Sequence, residues 1–97
     1  MRLMEVEEIK RKAAPILVRH GATEAYIFGS TARGEATSES DIDILVQFKD
    51  LVGLFGFVRT KLELQDALGG RTVDLVQVGA LRKEMKPSVE RDKVRIV

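Results

Sequence analysis

The chain has 97 residues, 44% of them hydrophobic and 32% charged, with a formal net charge of +1. That composition fits one small folded domain over residues 1–97 and excludes a disordered chain, and the near-neutral charge gives no case for direct nucleic-acid or membrane binding. The absence of cysteine and the single His20 exclude a disulfide framework, a zinc–thiolate site, a cysteine nucleophile and a histidine-rich metal site.

No apolar run nears the roughly 20 residues that a membrane span requires. The first residues, Met1 to Glu8, are too acidic for a secretory signal. With no cysteine, the expectation is a cytoplasmic protein.

Leu3, Val6, Ile9, Ala13, Ile16 and Leu17 recur at helical spacing, which predicts an amphipathic helix over residues 3–20. Pro15 is expected to kink it or weaken its last turns, and Gly21 to stop it. Ala25 to Phe28 reads as a short buried strand. Ser30 to Arg33 then reads as a helical turn with Ser30 near its N-cap. A polar loop leads to a second strand, Asp41 to Phe48.

The apolar residues between 53 and 68 predict a broad-faced helix stopped by Gly69-Gly70. Arg71 to Val78 reads as a third strand, apolar on both faces and therefore interior to a sheet. Residues 80–92 are weakly helical and interrupted by Pro87, and Val94 to Val97 reads as extended. The order predicts an α/β fold, with helices packed on a small sheet of three to four strands. The link from Phe28 to Asp41 is short for a crossover helix, so a mixed sheet is expected.

Three carboxylates stand out. Asp41 and Asp43 project from one strand face, roughly 6–7 Å apart at the backbone. Asp74 lies within the apolar run Thr72 to Val76. Taken alone, Asp41-Ile42-Asp43 also reads as a polar strand entry, and Arg71 or another base could neutralise Asp74 as a buried pair. Unpaired carboxylates in such strands repel and are costly to bury, and a divalent cation removes both problems. With no sulfur or imidazole set available, that cation would be magnesium or manganese.

Gly29-Ser30 follows the first strand and opens a helical turn, an arrangement that aims backbone N–H groups at a phosphate. Arg33, one turn on, can add positive charge. An ordinary turn with an N-cap is the plain alternative. It is neither a Walker loop nor a Rossmann fingerprint, because no Gly-Lys-Ser/Thr or Gly-x-Gly-x-x-Gly is present. A metal site beside a phosphate cradle suggests nucleotidyl transfer.

Together, Gly29-Ser30, ten intervening residues, and Asp41-Ile42-Asp43 resemble the minimal nucleotidyltransferases of the DNA polymerase β-like nucleotidyltransferase superfamily. Tyr26-Ile27-Phe28, Ala32-Arg33-Gly34, Ser40 and Val73-Asp74-Leu75-Val76 extend the likeness over most of the chain. The resemblance implies a mixed-sheet nucleotidyltransferase fold and magnesium-dependent transfer of a nucleoside monophosphate, with ATP as donor. It implies that Asp41 and Asp43 bind the metals and that Asp74 completes the metal site and takes the acceptor proton. Gly29 and Ser30, with Arg33, would hold the nucleotide triphosphate. It also implies a HEPN-domain partner, against which small members act as antitoxins, some by adenylylating a tyrosine. So short a chain leaves the acceptor surface to that partner or to a second copy in a homodimer. The alternative is an antitoxin subunit that neutralises its partner by binding alone.

Two other features complete the reading. The C-terminal cations, among them Arg82, Lys86 and Arg95, alternate with Glu84, Glu90 and Asp92 and read as a solvated face. Leu51, Val52, Leu54, Phe55 and Phe57 read as core, with a protein interface as the other reading.

Overall fold

The structure is a computed structural model that describes residues 5–97. Helix α1 spans Val6–Arg19 and strand β1 spans Ala22–Phe28. The short helix α2, Gly29–Ala32, leads through a loop to β2, Ile42–Phe48. Helix α3, Leu54–Ala67, precedes β3, Val73–Gln77. Two 3₁₀ turns, helix α4 (Lys86–Asp92) and the short strand β4 (Val94–Arg95) complete the chain. The expected start of α1 at Leu3 lies outside the described residues.

The sheet order is β3-β2-β1-β4. β1 runs antiparallel to both β2 and β4, and β2 runs parallel to β3. The sheet is mixed, as the short link predicted. The chain needs no crossover helix before β2 because an antiparallel neighbour is reached by a simple reversal.

Alternation along the strands divides the sheet into two faces. Ile42, Ile44 and Val46 of β2 and Ile27 of β1 face α1 and α3, where Ile9, Ala13, Leu17, Leu64 and Leu68 close the main core. The other face is covered only in part. There Phe28 and Leu45 meet Val89 of α4, with Tyr26, Val76, Leu81 and Met85 around them. The strand ends carrying the carboxylates lie beyond this cover.

Several expectations are corrected. β3 is an edge strand, not an interior one, because its second neighbour position is empty in the sheet order. Its apolar look comes from Val73 and Leu75 in the main core and Val76 beneath the C-terminal segment, while Asp74 is exposed. Pro15 lies inside α1, and the last turns it was expected to kink or weaken are helical for four residues beyond it. Its ring lies on the solvent side, and Ile9, Ala13 and Leu17 hold the opposite side to the sheet. Pro87 sits in the first turn of α4, where the missing N–H has no helical partner to lose. β1 begins three residues earlier than expected because Ala22 pairs with Phe48. Phe28, in extended conformation, caps α2, and Ser30 lies in its first turn near that cap, as expected.

Of the apolar cluster that read as core, only Val52 and Phe57 pack inward. Leu51, Leu54 and Phe55 are exposed. Among the described residues no helix is long and apolar enough to cross a membrane.

Candidate active site

Asp43 is the centre of the site. It pairs in register with Phe28 of β1 on one side and Asp74 of β3 on the other. Neighbouring strands lie about 4.8 Å apart, so the two carboxylates stand side by side on the partly covered face. Asp41, two residues upstream, projects from the same face at the mouth of β2. Asp43 is half-buried, and Asp41 and Asp74 are exposed.

Gly29 is what lets Asp43 sit there. Its φ is +71°, a left-handed conformation that side chains resist, and a Cβ on it would collide with the Asp43 carboxylate oxygen Oδ2. The first turn of α2 therefore lies directly against the carboxylate. The Ser30 carbonyl accepts from the Glu35 N–H at 2.9 Å, and the Gly29 carbonyl accepts from the Arg33 N–H at 3.2 Å. These bonds fix the turn and leave the Ser30 hydroxyl without a bond to the rest of the described chain. The neighbouring Thr31 hydroxyl is buried and has no hydrogen-bond partner among the described residues.

The electrostatics follow from this placement. Burial first, then the charges of Asp74 and Asp41, push the Asp43 carboxyl up to about 6, against a smaller opposing effect of Arg33. A half-buried acid beside two others is compensated only weakly, by Arg33. Arg71 does not add to this. Its guanidinium donates to the carbonyl oxygens of Ser40 and Thr37, bracing the loop before β2. Asp74 makes no ion pair among the described residues, so the buried Arg71–Asp74 pair is not formed.

Arg33 is committed elsewhere. Its Nε donates to Glu35 at 3.0 Å and its Nη1 to Asp92 of α4 at 3.1 Å. The Asp92 side chain is only 10% exposed, and Arg33 holds its carboxyl below the usual range. Arg33 thus fastens α4 to the turn that begins at Gly29. Nothing in the spacing announced that tie, since the two residues are 59 apart in sequence.

The donor set is all oxygen, which suits a hard divalent cation rather than zinc or copper. Among the described residues no three acidic or imidazole side chains are gathered closely enough to cage a cation unaided. Asp41 and Asp74 share a face with Asp43, and their charges act on it. A cation on them would take further oxygens from a bound phosphate. With that completion the residues fit the group.

The fold is that of a nucleotidyltransferase. The family described as "Polymerase beta, Nucleotidyltransferase" matches residues 11–97, and the chain belongs to it. Its likeness is to the minimal branch of that family. The chain is 42% identical over 94 residues to MJ0435 of Methanocaldococcus jannaschii, provisionally named a protein adenylyltransferase, covering 97% of this chain and 100% of that protein. It is 40% identical over 78 residues to the protein adenylyltransferase MntA of Thermococcus cleftensis, covering 80% and 78%. A solved structure provisionally described as a minimal nucleotidyltransferase superposes with a TM-score of 0.79 at 34% identity, covering 97% and 98%. The fold is shared with two chains from solved toxin–antitoxin structures. One is a complex with AMP-PNP, at a TM-score of 0.79 and 24% identity, covering 91% and 72%. The other is a tri-AMPylated Shewanella oneidensis HEPN toxin with MNT antitoxin, at 0.72 and 22%, covering 94% and 71%.

Proposed function

We propose that this chain transfers AMP from ATP to a hydroxyl group on a HEPN-type toxin and neutralises it by that modification. The observation that carries this reading is the register pair Asp43–Asp74 set directly against the Gly29-Ser30 turn. It puts anionic and phosphate-binding chemistry within one small space. Relatives named protein adenylyltransferases support the reaction class. The solved toxin–antitoxin assemblies, one with AMP-PNP and one with an AMPylated HEPN toxin, support the donor and the partner.

The Ser30 hydroxyl and the N–H groups of the α2 turn bind the triphosphate oxygens. Gly29 keeps that turn close to Asp43. Magnesium or manganese, held by Asp41, Asp43 and Asp74, would supply positive charge to the phosphates and to the acceptor oxygen. Asp74, exposed at the sheet edge, accepts the proton of the acceptor hydroxyl. The acceptor oxygen forms a bond to the α-phosphorus as the bond from that phosphorus to the bridging oxygen breaks. Pyrophosphate leaves with the electron pair. Arg33, through Asp92, holds α4 over the neighbouring part of the sheet.

The test is incubation of the full chain with its toxin, magnesium and ATP labelled at the α-phosphate. Label on the toxin and a toxin mass increased by one AMP are expected. Neutralised toxin of unchanged mass would overturn the reading in favour of neutralisation by binding alone.

A further inference from the structure

Helix α3 has a second face that the fold leaves bare. At about 100° per residue, Thr60, Leu64 and Leu68 point into the core while Phe55, Leu62 and Asp66 fall on the opposite side. Phe55 is 87% exposed and Leu62 56%, and Leu54 and Leu51 extend the patch past the helix start. Phe55, Val58, Arg59, Leu62, Glu63 and Asp66 line a shallow groove of about 390 Å³. Bare aromatic and aliphatic side chains in a row mark a surface that meets another protein.

Two observations select the occupant. The first is the order of charges along the groove. Arg59 lies on its N-terminal half, Glu63 and Asp66 on its C-terminal half. Glu63 already holds Arg19 and His20, whereas Arg59 and Asp66 have no partner among the described residues. An antiparallel pairing of two such helices about a two-fold axis sets the basic half of each against the acidic half of the other. Both unpaired charges are then matched twice over. With Arg59 opposite Asp66 of the second copy, Leu62 falls at the axis and Val58 about one turn from it. The second observation is position. The bare face belongs to the layer on the Ile42/Ile44/Val46 side of the sheet, whereas Asp43 and Asp74 project from the other side. A protein presenting a hydroxyl to those carboxylates approaches from the opposite side and leaves this groove uncovered.

We propose that the outer face of α3 is a two-fold interface between two copies of this chain, with the helices antiparallel and both carboxylate clusters turned outward. The argument from position rests on the reaction proposed above, whereas the charge order along α3 and the sedimentation test do not. Sedimentation of the full chain between about 1 and 100 μM is expected to show a monomer–dimer equilibrium. Phe55→Glu abolishes the dimer and leaves the melting curve of the monomer in place, because the side chain touches little of its own fold. Arg59→Glu weakens the dimer at least about tenfold, and adding Asp66→Arg to the same chain restores it. If Phe55→Glu fails to fold, the charge-reversal pair decides alone. The proposal is overturned by a chain that stays monomeric throughout that range, by a dimer indifferent to Phe55→Glu, or by an Arg59→Glu defect that Asp66→Arg does not repair. It is equally overturned by a monomer that uses Phe55 to bind a different protein.

Discussion

The carboxylate of Asp43 occupies the space that a Cβ on Gly29 would fill. Gly29 opens the turn proposed to face the phosphates, Asp43 is the centre of the acidic cluster, and the two are packed as a unit. A substitution at Gly29 therefore carries two costs. Alanine in the left-handed region costs roughly 1–2 kcal/mol, and the carboxylate must also move. Gly34 separates the two effects, since its φ is +74° and a Cβ there would meet nothing within 4 Å. Gly29→Ala is expected to melt several degrees below Gly34→Ala and to lose transfer. Equal melting temperatures for the two variants would show that Asp43 yields without cost.

Asp43 should make the metal-free fold less stable at neutral pH. Its carboxyl rises from 3.8 to about 6 on folding, so between those values the native state binds more protons than the unfolded state. The contribution to stability is greatest below pH 3.8 and is lost as pH rises through about 6. Because the group is only half-buried, solvent screening reduces the effect to the order of 1 kcal/mol. With chelator present, Asp43→Asn is expected to be more stable than the parent at pH 7.5 by about that amount. The difference shrinks toward zero near pH 4. Denaturant melts across that range check the sign, and a variant less stable at neutral pH would point to a structural ion pair at Asp43.

The Arg33–Asp92 tie predicts a local effect. Asp92→Asn removes the charge that Arg33 holds across from α2 to α4. Amide exchange in α4 should accelerate while that in β1 and β2 stays slow, because the main core does not include α4. Asp92 is held below its ordinary range, so its contribution is present at neutral pH and fades as pH falls through its folded value. Wild-type α4 exchange, corrected for intrinsic rates, should approach that of Asp92→Asn in acid.

Much of this was readable from residues alone. Alternation placed Asp41 and Asp43 on one face, and the Gly-Ser step after the first apolar run marked the turn where Gly29 packs on Asp43. What the sequence could not carry was long-range register. Asp74 faces Asp43 only because β3 joins β2 in parallel, and no local pattern encodes that pairing. The same gap made β3 look interior: Val73, Leu75 and Val76 are covered on both faces by helices and the C-terminal segment, which periodicity cannot distinguish from flanking strands. Phe55 and Leu54 looked like core because hydrophobicity reports what a residue avoids, not whether its own chain supplies the cover.

Asp74 offers the sharpest separation of chemistry from partner binding. It lies at the sheet edge, exposed, with no ion pair among the described residues, and its charge acts on Asp43. Asp74→Asn keeps the volume and removes the charge. Loss of a general base alone costs roughly 10²–10⁴ in rate, and loss of a metal ligand adds to it. Two readouts accompany the rate. The Asp43 midpoint, followed by NMR of the carboxyl carbon, should fall below about 6, since one of the charges that raises it is gone. Toxin affinity should change little, because a single exposed carboxylate contributes little to a protein interface of ordinary size. A transfer assay paired with a pull-down therefore distinguishes the two roles: lost transfer, retained binding and an active toxin support neutralisation by modification. If Asp74→Asn transfers no nucleotide yet still silences the toxin completely, the chemistry is not what protects the cell.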